Sequence, residues 1–215
     1  TFEVANPRLW DIDDPHLYTV DVEGDTYRYG IRTIAFHSDE RRFQLNGRTV
    51  PLNGVSMHHD FGVLGAAWNR SAQKRRLLLF KEAGVNAIRS SHNPPDEELL
   101  ELCDELGLLF KDEVFDEWRH IGNAGKRKDG YSKLFDEWHE RDLRAWVRTN
   151  RNHPSIVMWS MGNECGYSIY VERVIRDVRR LDPSRLLHYE SMHLQYKSPK
   201  FTNTNFTNRK LRRFI

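Results

Sequence analysis

Residues 155–166 read Ser-Ile-Val-Met-Trp-Ser-Met-Gly-Asn-Glu-Cys-Gly (SIVMWSMGNECG): an apolar run stops in an amide and a carboxylate, and glycine-punctuated chain follows. A short continuous apolar run is the pattern of a strand buried on both faces. Asn163 and Glu164 therefore stand at the C-terminal end of a buried strand, and the same arrangement recurs upstream. TVPLNGVSM runs into His58, His59 and Asp60, and VNAIRSS into His92 and Asn93. LLFKDEVF carries Asp112 and Glu113 and runs into Asp116 and Glu117; RLLHYE ends in His188 and Glu190.

Helical patterns alternate with these strands. SAQKRRLLLFKEAG places Leu79, Phe80 and Ala83 at helical spacing with Gly84 as a stop. NPPDEELLELCDELG predicts a helix with Asn93 as cap, prolines in the first turn, acids near the positive end and Gly107 closing it. LFDEWHERDLRAWVRTN and SIYVERVIRDVRRLD supply two more. β/α alternation with apolar strands leaves two architectures open, a doubly wound sheet and a (β/α)8 barrel. The GxGxxG fingerprint follows none of the strands, which weakens the first. Polar residues at every strand end favour the second, because those ends converge on one rim in a barrel. The fold class is thus α/β, a partial TIM (β/α)8 barrel of about five β/α units.

Residues 1–42 read instead as β-structure, with HLYTVDV and TYRYGIRTIAF separated by Gly24-Asp25. Asn46-Gly47 in RFQLNGRTVPL is a two-residue hairpin signal. The expected organisation is residues 1–42 as the end of a β-sandwich, 43–196 as the N-terminal part of a barrel and 197–215 as a basic tail, read as solvated.

Hydrophobic residues at 39% suit a globular core, and a formal net charge of +2 gives no reason to expect a nucleic-acid partner. No window approaches the roughly 18–20 apolar residues of a membrane span. TFEVANPRLW has neither a signal-peptide pattern nor an initiator Met, which leaves open an interior position in a longer precursor. The compartment stays open, leaning cytoplasmic. Cys103 and Cys165 have no CxxC neighbours, so neither a disulfide framework nor a zinc site is expected.

A strand-end carboxylate ringed by His, Asn, Arg and Trp is the equipment of glycoside hydrolysis. One carboxylic acid protonates the leaving oxygen, and a second carboxylate either attacks the anomeric carbon or activates water. Apolar neighbours such as Trp159 and Met161 would help the first keep its proton. The blocks LNGVSMHHD, GVNAIRSSHNPP, GLLFKDEVFDEW and RNHPSIVMWSMGNECG, in this order and spacing, closely resemble the family 2 glycoside hydrolases, especially the β-galactosidase branch. NPRLWDIDDPHLYTV with YGIRTIAF is similar to the end of the immunoglobulin-like sandwich that precedes the barrel in that family.

The resemblance implies a retaining mechanism acting on terminal β-D-galactosides, with β-glucuronides or β-mannosides as alternatives. It implies Glu164 as the acid/base and Asn163 as the amide near the sugar 2-hydroxyl. It makes His58 and His92 substrate-contacting histidines and Arg89 their companion. Glu117 aligns with an acid that some β-galactosidases use to hold magnesium; the companion histidine falls at Arg119, which cannot ligate a metal, so no metal or cofactor is expected. Trp118 is a candidate sugar-stacking platform, although large aromatics are commonly core. Structural readings compete: His58 or His92 as histidines satisfied by backbone, Arg89 as an ion-pair partner of Asp112 or Glu113, and both acids as core organisers. The family's nucleophile, a glutamate ending strand seven, falls beyond residue 215, and Glu190 reads as a rim or structural residue. The fragment alone is thus expected to be inactive, unless a complementing chain or oligomer completes the barrel. A non-catalytic chain binding sugar or protein is the alternative from another class.

Overall fold

In the computed structural model, the described residues are 3–37, 40, 42–116, 118, 130–163 and 171–189. Two antiparallel units come first. Strands β1 (Tyr18–Val22) and β2 (Asp25–Tyr29) form a hairpin, and β3 (Ile34–His37), β4 (Arg42–Leu45) and β5 (Arg48–Thr49) form a three-stranded sheet. Asn46 (φ 52°) and Gly47 (φ 76°) both take positive φ in the β4–β5 turn, as the Asn-Gly signal requires. TYRYGIRTIAF is not one strand: β2 stops at Tyr29 and β3 starts at Ile34. Gly30 lies in the break, where an added Cβ would stand 2.6 Å from the Pro154 ring.

Five strands then form one parallel sheet: β6 (Gly54–Met57), β7 (Ala87–Ser90), β8 (Leu109–Glu113), β9 (Ile156–Ser160) and β10 (Leu186–His188). Their spatial order is β10-β9-β8-β7-β6, so each β/α unit steps in the same direction. The helices between them are α1 (Arg70–Glu82), α2 (Glu97–Leu106), α3 (Phe135–Asn150) and α4 (Val171–Leu181). All four pack on one face of the sheet. Leu77, Leu102, Val147 and Val178 meet the outward strand residues Ile88, Phe110, Ile156 and Leu187 in one core. A doubly wound sheet would reverse its order and carry helices on both faces. A sequential order with helices on one face is a segment of a (β/α)8 barrel.

Leu109 and Val157, on the opposite face, join Trp10, Phe43, Leu45 and Val50 in a second core. The rest of that concave face, including Arg89, Lys111, Met158 and His188, lines a cavity of about 80 Å³. Burial distinguishes the strands. Central β8 and β9 are nearly sealed, whereas β6, expected as buried, is mostly exposed because it forms an outer edge among the described residues.

Two helix expectations need correction. The cap of α2 is Asp96, whose side chain accepts from Glu98 N at 3.0 Å, and not Asn93. Pro94 and Pro95 hold the residues before them extended, so the helix begins only after them. On α1 the buried positions are Gln73 and Leu77, while Leu79 is 47% exposed. Gly107 does close α2, in the left-handed region at φ 68°. Among the described residues no helix is long and apolar enough to cross a membrane.

Candidate active site

The site is assembled from strand ends. Arg89, next to last in β7, points to the concave side and meets Glu113, the last residue of β8. Arg89 Nη2 donates to Glu113 Oε1 at 2.8 Å and Oε2 at 3.1 Å, and Nε donates to Oε2 at 3.2 Å. Glu113 is fully buried and Arg89 is 11% exposed, so this bidentate pair is largely shielded from water. Ser160, paired in register with Glu113 at the end of β9, donates its hydroxyl to Oε2 at 2.6 Å. The Glu113 backbone N–H donates to Ser90 Oγ at 2.8 Å.

Around this carboxylate the expected residues gather. His92 Nδ1 lies 3.1 Å from Glu113 Oε1, and the His92 ring meets His58 edge to face at 5.0 Å between centroids. Asn163 Oδ1 accepts from Arg89 Nη2 at 2.9 Å, and Asn163 N donates to Phe115 O at 2.9 Å. Gly162, at φ 151°, turns the chain out of β9 just before it. The structure thus brings Arg89, His92, Asn163 and His58 together on one rim, with Glu113 at the centre. Glu164 and Glu117 lie outside the described residues, as do Arg119, Cys165, Glu190 and the 197–215 tail.

Trp118 does not join them. It is fully buried, stacked on Phe135 at 5.6 Å, and its indole N–H donates to Met161 O at 2.8 Å. A sealed ring offers no face to a sugar. Its contact instead anchors the chain two residues before Asn163.

Asp112 and Glu113 occupy opposite faces of β8. Asp112 turns outward toward α3, where Asn150 Nδ2 donates to it at 2.8 Å, and burial pushes its carboxyl up to about 7. His188 at the end of β10 is held well below the ordinary imidazole range, first by burial and then by the charges of Lys111 and Arg89. Ser160 escaped the sequence reading. Its signal is a hydroxyl in an apolar strand at the level where the adjacent strand carries a carboxylate. Among the described residues no group of three or more His, Cys, Asp or Glu side chains is placed to hold a metal ion.

The N-terminal segment braces the opposite end of the sheet. Arg32 donates to Pro154 O and Ile156 O, both at 2.5 Å, and burial brings its guanidinium down to about 9. Trp10 Nε1 donates to Asp104 O at 2.8 Å, and Asp104 in turn accepts from Ser155 N at 2.9 Å.

Comparison with known proteins agrees with this architecture. The family described as "Glycosyl hydrolases family 2, TIM barrel domain" matches residues 37–210, and "Glycosyl hydrolases family 2" matches residues 1–32. The chain is 50% identical over 171 residues to the β-galactosidase BoGH2A of Bacteroides ovatus, covering 75% of this chain and 19% of that protein. A putative β-glucuronidase of Formosa agariphila is 39% identical over 194 residues, 86% of this chain and 18% of that protein. Among solved structures, a glycosyl hydrolase family 2 member from Bacteroides cellulosilyticus superposes with a TM-score of 0.78 at 39% identity, covering 87% of this chain and 26% of that one. A β-D-glucuronidase of Dictyoglomus thermophilum gives 0.73 at 28% identity, covering 87% and 35%. The chain therefore spans about a fifth of the length of the curated relatives it matches.

Proposed function

The chain belongs to glycoside hydrolase family 2, and from that premise we propose that it is part of a retaining β-galactosidase in which Glu164 is the acid/base. The observation that carries this reading is the convergence of Arg89, His92 and Asn163 on one rim. Asn163 directly precedes Glu164 in sequence, three residues beyond the end of β9. In this reading Glu164 protonates the leaving oxygen, and later removes a proton from the water that releases the sugar. Asn163, His92, His58 and Arg89 hold the glycone, either directly or through Glu113. The attacking carboxylate comes from protein outside these 215 residues, so the isolated chain does not turn over.

Galactoside is favoured over glucuronide because the 50%-identical relative is named a β-galactosidase. The relatives named β-glucuronidases support the second glycone with the same mechanism. The test is hydrolysis of aryl β-D-galactosides and β-D-glucuronides by the full-length protein carrying this segment. Galactoside turnover is expected, with Glu164→Gln slowing substrates that have poor leaving groups far more than those with good ones. Unimpaired turnover by Glu164→Gln on both kinds would remove Glu164 from the acid role.

A further inference from the structure

Hydrogen counting around Glu113 fixes a proton that the heavy atoms alone do not show. Arg89 Nη2 carries two hydrogens and, in the hydrogen bonds among the described residues, faces three side chains. It stands 2.8 Å from Glu113 Oε1, 2.9 Å from Asn163 Oδ1 and 3.2 Å from His92 Nδ1. Glu113 and Asn163 offer oxygens at the shorter distances, so they take both hydrogens and leave none for His92. His92 Nδ1 also stands 3.1 Å from Glu113 Oε1. With a guanidinium and a hydroxyl donating to it, Glu113 is a carboxylate and can only accept. A bare lone pair on His92 Nδ1 would face that oxygen unfavourably; an N–H there makes a hydrogen bond.

We propose that Glu113 is a positioning residue that holds neutral His92 in the Nδ1–H form, leaving the lone pair on Nε2 to accept a hydrogen bond from a ligand. Nε2 makes no hydrogen bond among the described residues and is not among the buried unpartnered atoms, and the side chain keeps 25% of its surface. The same counting fixes Asn163 with its oxygen toward Arg89 and its NH2 toward Asp116, where Nδ2 and Oδ1 stand 3.5 Å apart. The rim thus offers an acceptor from His92, suited to ligand hydroxyls, which can donate to it. That these hydroxyls belong to a sugar rests on the glycosidase reading; the tautomer does not.

Two-bond 1H–15N correlation spectra of the histidine rings in the 15N-labelled chain test it, recorded about two units above the ordinary imidazole value. His92 is assigned by its ring contact to His58 and by the signals lost in His92→Gln. The wild-type ring is expected to show the Nδ1–H pattern. Glu113→Met, which removes the acceptor, is expected to shift it to Nε2–H, with Nδ1 accepting from Arg89. An Nε2–H or doubly protonated ring in the wild type overturns the proposal, as does an unchanged Nδ1–H pattern in a folded Glu113→Met. Should that variant fail to fold, the wild-type spectrum decides by itself. The spectrum is independent of turnover: an Nδ1–H ring in the chain, together with a full-length protein inert toward glycosides, would sink the glycosidase reading and keep this one.

Discussion

Asp112 and Glu113 are adjacent in sequence, both sealed from water, and chemically opposite in situation. Glu113 faces a guanidinium, while burial raises the Asp112 carboxyl to about 7. In the unfolded chain Asp112 would release its proton near the ordinary value of about 3.9. Between about pH 4 and 7 the folded state therefore holds a proton that the unfolded state has lost. Stability from this group is complete below pH 4 and falls as pH rises through the window, by up to about 4 kcal/mol. Asp112→Asn keeps the shape and has no proton to lose, so its urea midpoint should fall less than the wild type's between pH 4.5 and 7.5. Parallel pH slopes would show that Asp112 is ionised in the fold throughout. Trp118 carries a second prediction at this scale. Trp118→Phe leaves the Met161 carbonyl without its donor and opens space beside Phe135, a loss of about 1–3 kcal/mol readable by chemical denaturation.

At the scale of elements, two glycines of similar backbone conformation stand in different surroundings. Gly107 ends α2 at φ 68°, and an added Cβ would lie 2.4 Å from the backbone oxygen of Ile12; Gly24 in the β1–β2 turn has φ 96° and open space around it. Gly24→Ala should cost only the left-handed strain of about 1 kcal/mol. Gly107→Ala should cost clearly more, because a backbone atom has to move, and it should loosen the N-terminal segment, making residues near Ile12 more readily cleaved in limited proteolysis. Equal losses in the two variants would mean that Ile12 yields freely. Gly107 was legible as a helix stop from its place after a periodic run; its contact with Ile12, 95 residues away in sequence, was not. The same division runs through the other elements. Strand ends were legible because apolar runs stopped in polar residues, and Asn46-Gly47 because its turn is local. The buried side of α1 was ambiguous, since three consecutive leucines cannot all face the sheet, and tertiary packing chose Leu77. Trp118 was ambiguous for a similar reason: a large aromatic beside acids suits a sugar platform or a core until its burial is known.

At the scale of the molecule, the decisive feature is a parallel sheet that has two outer edges among the described residues. Strands β6 and β10 each have one neighbour among the described residues, whereas closing a barrel pairs every strand on both sides. The concave face between those edges is lined largely by apolar side chains such as Leu52, Val55, Leu109 and Val157, with Arg89, Lys111 and His188 among them. In a closed barrel such a face is covered by side chains from the opposite strands. On α1, Leu78 and Leu79 are each 47% exposed, and in a closed barrel α1 has a helix on either side. Edge, cavity and exposed leucines among the described residues are the features that further β/α units would cover. The isolated 215-residue chain is therefore expected to self-associate as its concentration rises and to bind a dye specific for exposed apolar surface. Light scattering after size-exclusion chromatography reads the first property and dye fluorescence the second. Adding a polypeptide that supplies the absent units should abolish both and yield a one-to-one complex. A dilution-independent monomer that leaves the dye dark would mean that this sheet satisfies its own edges, and would remove the physical reason for expecting a complementing partner.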